Sequence, residues 1–309
     1  MKRAWVWVAV MFFGLGAAAV SVPANAQAAD SCAGREQPAP GLTEHTIEHD
    51  GLTRTYLLYA PASLDATRPA PVVFSMHGFA SNARQQVRLT GWNDVADASG
   101  FLVVYPQGTG LPLRWNSGSL GQRDTGGADD VGFLKAMAAH LTETLCVDPA
   151  KLYANGMSNG GGMTYRLACD ASDVFAAFGG VAGAYSERID CAPARPVPML
   201  FFHGTADPIV PYGGGSGMPN IATFVQNFAE RNGCDPQPIF IPEIGSVGDV
   251  QYLRCDENAE TALYVISEGG HTWPGGSGSF DFLLGETTQD ISASQILWDF
   301  YQAHPLADR

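Results

Sequence analysis

The sequence predicts an α/β fold: a mostly parallel sheet with helices on both faces. Short apolar runs at 72–76, 101–105, 151–156, 176–181, 197–202 and 262–266 have the near-continuous character of strands buried on both sides. Helical patterns separate several of them, at 85–98, 130–145, 159–169 and 221–231, and a last one lies at 293–304. Alternating strands and helices imply parallel strands joined by crossover helices.

The elements follow in order. Residues 43–49 and 53–59 alternate polar and apolar side chains and read as an antiparallel hairpin turning at Asp50-Gly51. Strands 72–76 and 101–105 flank the helical pattern 85–98. The helix over 130–145 is amphipathic, with Asp129 or Asp130 as its N-cap. Strand 151–156 runs into the helix 159–169. The glycine-rich stretches 107–127, 213–219 and 275–280 are expected to be loops. No internal repeat and no second-domain boundary is visible.

Before these elements lies an expected export signal. Lys2 and Arg3 form a basic start, Ala4 to Val20 is an apolar run of 17 residues, and Ala24-Asn25-Ala26 is a small-x-small cleavage site, with Ala26-Gln27-Ala28 as a second option. The competing reading, an uncleaved anchor, has a run at the short edge for spanning a bilayer. The expected organisation is therefore a signal peptide over 1–26 and one domain over 27–309, secreted to the periplasm or the exterior. Removing Lys2 and Arg3 takes the formal charge from −14 to −16, which disfavours nucleic acid and anionic membrane surfaces as partners.

All six cysteines, Cys32, Cys146, Cys169, Cys191, Cys234 and Cys255, follow the signal. An even number in an exported chain implies disulfides. Proximity suggests Cys169–Cys191 and Cys234–Cys255, leaving Cys32–Cys146 among the possible pairings. With no Cys-x-x-Cys and no histidine beside a cysteine, no metal site is expected.

The chemistry is expected at Gly156-Met157-Ser158-Asn159-Gly160, a Gly-x-Ser-x-Gly string between a strand and a helix. That context holds a serine nucleophile on a sharp turn, and the glycines leave room for it. The nucleophile needs a base, and the base needs an orienting carboxylate, in the order Ser, Asp or Glu, His for this arrangement. Asp207 lies five residues past the strand 197–202; Asp190 and Asp249 follow no comparable strand. His271 follows strand 262–266. Of the other six histidines, His45 and His49 are on the hairpin, His140 is mid-helix and His304 is near the end. His77 and His203 end strands, where an imidazole often serves structure. The oxyanion donors are expected to be the backbone N–H groups of Asn159 and Phe79, with Ala80 as a fallback. No cofactor is needed.

These strings together resemble the secreted esterase family that joins polyhydroxybutyrate depolymerases and short feruloyl esterases. The resemblance covers most of the chain after the signal. It rests on V-V-Y-P-Q-G at 103–108, Trp115, D-D-V-G-F at 129–133, C-V-D at 146–148, G-M-S-N-G-G-G at 156–162, L-A-C at 167–169, H-G-T-A-D at 203–207, N-G-C at 232–234 and G-H-T-W-P-G at 270–275. It implies the α/β-hydrolase fold without a large lid, Ser158, Asp207 and His271 as triad, and a secreted carboxylester hydrolase. Met157 and Gly270 stand where one feruloyl esterase and tannase group carries cysteines, which excludes that group. The chain ends soon after helix 293–304, so no added polymer-binding domain is expected. That favours feruloyl-type esters or hydroxyalkanoate oligomers over crystalline polyester. Trp273, two residues past the base, and Trp115, in a glycine-rich loop, are the expected substrate contacts. Alternatives are a serine peptidase of related fold and a non-catalytic binding module; such modules usually lose a triad member, and all three candidates are present.

Overall fold

The computed structural model describes residues 32, 34–118, 127–186, 190–215, 217–279 and 281–307; the expected signal segment 1–26 and part of the loop 107–127 lie outside them. Ten strands form one sheet in the order β1-β2-β4-β3-β5-β6-β7-β10-β9-β8. They are β1 (Gly41–His49), β2 (Leu52–Ala60), β3 (Ala70–Met76), β4 (Leu102–Pro106), β5 (Val147–Met157), β6 (Ala177–Val181), β7 (Met199–Gly204), β8 (Ile239–Ile244), β9 (Val247–Tyr252) and β10 (Thr261–Ile266). The pairs from β4 through β3, β5, β6 and β7 to β10 are parallel. Antiparallel pairs close both edges, with β1 and β2 at one and β9 and β8 at the other.

Period-2 alternation explains how one sheet carries two cores. Val72, Phe74 and Met76 of β3 face one apolar cluster, and Val73 faces the other. β7 divides likewise, with Met199 and Phe201 on one side and Leu200 and Phe202 on the other. Each face takes its own helices. The helices are α1 (Ala83–Thr90), α2 (Trp92–Ser99), α3 (Asp130–Thr144), α4 (Asn159–Asp170), α5 (Ile221–Arg231), α6 (Asp281–Leu284) and α7 (Ala293–Ala303). Phe133 and Met137 of α3, Met163 of α4 and Phe224 of α5 pack on the first face. Trp92 of α2 and Leu297, Trp298 and Tyr301 of α7 pack on the second. Burying each such side chain contributes about 1.5–3 kcal/mol.

Local signals act as expected at several helix starts. Asp129 accepts from the Gly132 amide at 2.9 Å and caps α3, and Asn82, Asn220 and Ser292 cap α1, α5 and α7 in the same way. Two readings need correction. The pattern 85–98 is two helices, because Gly91 adopts φ +67° and ends α1 in the left-handed region. The hairpin β8–β9 escaped the pattern reading, since all of β8 is exposed and shows no apolar-in, polar-out alternation. Disulfides join Cys32 to Cys146, Cys169 to Cys191 and Cys234 to Cys255. They tie the N-terminal segment to the start of β5, α4 to the loop before β7, and the end of α5 to the end of β9. No helix among the described residues is long and apolar enough to cross a membrane.

Candidate active site

Ser158, Asp207 and His271 follow β5, β7 and β10, so all three lie at the carboxyl edge of the parallel strands. Ser158 has φ +58° and ψ −119°, a backbone state that non-glycine residues hold only where the surroundings impose it. Two bonds do so here: the Ser158 amide donates to Val181 O at 2.9 Å, and the Ala184 amide donates to Ser158 O at 2.9 Å. Close approach does the rest. A Cβ on Gly156 would lie 2.5 Å from Gly160 C and O, and one on Gly160 would run into Met76 O and lie 2.6 Å from His77 O. Ser158 is the N-cap of α4, yet its side chain makes no capping bond. The hydroxyl is therefore not spent on its own helix.

Asp207 and His271 are both buried and meet directly, His271 Nδ1 to Asp207 Oδ2 at 2.8 Å. A carboxylate accepts, so Nδ1 carries a proton, and in the neutral ring Nε2 is the free acceptor. The other oxygen, Oδ1, accepts the Ile209 and Val210 amides at 2.8 Å each. Burial pushes the Asp207 carboxyl up, but the His203, His271 and Val210 contacts outweigh it and hold the group well below the usual carboxylate range. The His271 loop is fixed from outside: its amide donates to Leu284 O at 2.6 Å, and the Gly270 amide donates to Glu286 O at 3.0 Å.

The loop after β3 reaches the serine. A Cβ on Gly78 would lie 3.3 Å from Ser158 Cβ. Of the two N–H groups expected from this loop, Ala80 is occupied, because its amide donates to Leu113 O at 2.8 Å. The Phe79 amide has no partner among the described residues. Asn159 is the first residue of α4, where a backbone N–H has no intrahelical acceptor.

Both expected tryptophan contacts are corrected. Trp115 and Trp273 are each 0% exposed. Trp273 packs with α7 residues and donates from Nε1 to Ser294 Oγ at 3.1 Å. Trp115 instead buttresses the loop after β3 and the start of α4. Its Nε1 donates to His77 O at 2.9 Å, and its amide donates to Asn159 Oδ1 at 2.7 Å. An indole buries its large ring while its N–H finds a partner, and a Gly-rich sequence context does not reveal which way it points. Phe79 follows Gly78 and Ile209 lies two residues past Asp207; their side chains are 46% and 51% exposed. Neither side chain stood out in the sequence.

His77 completes the buttress. Its Nδ1 donates to Gly78 O at 2.8 Å and its Nε2 accepts the Gly108 amide at 3.0 Å, so the ring is neutral with the proton on Nδ1. Burial drives its pKa from 6.5 down to about 4, against the opposing Gly78 bond. Between those values the unfolded chain takes up a proton that the folded chain refuses, so stability falls as pH drops from about 6.5 towards 4. The loss attributable to this ring is about 3 kcal/mol at pH 4. Chemical denaturation of wild type and His77→Gln at pH 7 and pH 4 checks this; the variant lacks that share of the acid-side loss. An equal loss in both proteins would rule the residue out.

Comparison with known proteins adds to this geometry. The family described as Esterase PHB depolymerase matches residues 54–195. Feruloyl esterase C of Emericella nidulans is 31% identical over 267 residues, covering 85% of this chain and 88% of that protein. Feruloyl esterase B of Piromyces equi is 30% identical over 247 residues, covering 74% of this chain and 45% of that longer protein. Among solved structures, an acetyl xylan esterase from Aspergillus awamori superposes with a TM-score of 0.56 at 16% identity, over 74% of this chain and 94% of that one. That likeness establishes the α/β-hydrolase fold.

Proposed function

The chain belongs to the esterase family that joins polyhydroxybutyrate depolymerases and feruloyl esterases and is a carboxylic ester hydrolase, and from that premise we propose that it is a secreted serine esterase acting through Ser158, His271 and Asp207. The observation that carries this reading is the buried 2.8 Å bond from His271 Nδ1 to Asp207 Oδ2, on the same sheet edge as a serine at φ +58° with no capping bond. The bare Nε2 of His271 removes the Ser158 proton as Oγ attacks the ester carbonyl. The Phe79 and Asn159 amides hold the resulting oxyanion. His271 then gives its proton to the departing alkoxide as the C–O bond breaks. Water, deprotonated by His271, attacks the acyl-enzyme, and Ser158 leaves with the proton returned. Asp207 stays ionised throughout and stabilises the imidazolium.

Feruloyl-type esters of plant polysaccharides are the substrates this reading favours. Support comes from the feruloyl esterases among the relatives and from the exposed Phe79 and Ile209, which offer an aromatic acyl group an apolar wall. Hydroxyalkanoate oligomers are the second reading, supported by the family match over 54–195. Three disulfides suit an oxidising compartment. Turnover of methyl ferulate against 3-hydroxybutyrate oligomers separates the two substrates. A higher kcat/KM on methyl ferulate is expected; a preference for the oligomers overturns the feruloyl assignment and leaves the esterase intact.

A further inference from the structure

We infer that His203 is a positioning residue for Asp207: it anchors the turn that binds one carboxylate oxygen and faces the other, so that Oδ2 is presented to His271. The inference rests on the triad reading above and adds a second imidazole to it. His203 lies in β7, four residues before Asp207, and both are buried. Its Nε2 is 2.8 Å from Val210 O and 3.4 Å from Asp207 Oδ2. A carbonyl oxygen accepts only, so Nε2 carries the proton. The other ring nitrogen, Nδ1, is buried without a partner. Nε2–H is thus a donor held between Val210 O and Asp207 Oδ2.

The consequences for Asp207 are geometric. Val210 is held twice, its carbonyl by His203 and its amide by Asp207 Oδ1 at 2.8 Å. The segment 207–210 is thereby closed into a tight turn, and its orientation fixes the carboxylate plane. With Oδ1 occupied by two amides, Oδ2 is the oxygen left for His271, and His203 Nε2–H lies on the same side. Tyr212 is the aromatic neighbour of the imidazole, with ring centroids 6.1 Å apart. A histidine ending a strand before glycine has an ordinary structural reading; the placement of Nε2 between Val210 O and Asp207 Oδ2 goes beyond it.

The test is a set of variants assayed on p-nitrophenyl acetate. His203→Phe keeps bulk and removes the donor; His203→Gln keeps a donor nitrogen of similar reach. The expected result is a kcat lower by about tenfold or more in His203→Phe, short of the ~10⁴-fold seen for disabling such an acid, with KM unchanged and most of kcat recovered in His203→Gln. In an Asp207→Ala background, His203→Phe should cost less than about twofold more, because residues acting as a unit are not additive. Wild-type kcat in His203→Phe overturns the inference. So does an equal loss in the presence and absence of Asp207, or a His203→Gln as impaired as His203→Phe. Wild-type turnover in Asp207→Ala contradicts the triad itself, which distinguishes that failure from one confined to His203.

Discussion

Asp207→Asn is expected to lower kcat by about 10⁴-fold with little change in KM. The amide has similar shape, so the backbone bonds from Ile209 and Val210 to Oδ1 survive. What changes is the partner of His271. An amide nitrogen facing Nδ1 favours the tautomer with the proton on Nε2, which cannot accept from Ser158. An amide oxygen facing it restores the tautomer but supplies no negative charge to the imidazolium. The acid-side stability changes as well. The Asp207 carboxyl is held below its ordinary value in the fold, so its contribution is present above the unfolded carboxylate range and is lost as pH falls below about 4. Asparagine does not titrate, and its melting temperature should depend less on pH there. Steady-state kinetics at pH 7 and melting curves between pH 3 and pH 6 check both parts, and a kcat within tenfold of wild type would remove Asp207 from the mechanism.

Gly160→Ala is expected to be strongly damaging at the carboxyl edge of the parallel strands. The added carbon meets Met76 O and His77 O, which are backbone atoms of the strand end leading into the loop that carries Phe79. A side chain in that place would swing away; a strand end cannot. Overpacking of this kind costs about 1–3 kcal/mol even where side chains give. If the chain folds, the displaced loop carries Phe79 with it, and losing one oxyanion donor costs about 10²–10³ in kcat. Gly213→Ala is the control, since a Cβ there meets nothing within 4 Å. Thermal unfolding and p-nitrophenyl acetate turnover of the two variants should diverge, with Gly213→Ala close to wild type. Normal stability and turnover in Gly160→Ala would mean that the elbow is looser than these contacts imply.

The parts of this molecule that obey period and order were legible in its sequence. Strands β3, β4 and β7 are apolar on both faces because both faces carry helices, and that leaves a continuous apolar run. The acid and base candidates were found by chain order after strands, and the structure places Asp207 and His271 in contact. Two of the disulfide pairs, Cys169–Cys191 and Cys234–Cys255, follow from sequence proximity, and Cys32–Cys146 is the pair left over. What failed depends on three-dimensional direction. Trp115 and Trp273 looked like cleft residues because they neighbour glycine and a catalytic candidate, but a tryptophan in a loop can turn inwards, and both do. Ala80 was a reasonable oxyanion donor by position; its amide is taken by Leu113 O, a residue 33 positions further on. His203 reads in the sequence as the first residue of H-G-T-A-D at the end of a strand, and its relation to Asp207 appears only once the 207–210 turn is closed. The hairpin β8–β9 lies at an exposed sheet edge, where burial imposes no pattern.

Ser158 Oγ is expected to be the nucleophile. This is tested most directly by reacting the protein with a fluorophosphonate, which phosphonylates activated serines, and locating the adduct by peptide mass spectrometry. One adduct is expected on the peptide containing Ser158, with activity lost in proportion to labelling and an unlabelled Ser158→Ala protein whose kcat is lower by about 10⁶-fold. An adduct on another residue, or ester turnover surviving the Ser158→Ala change, would contradict it.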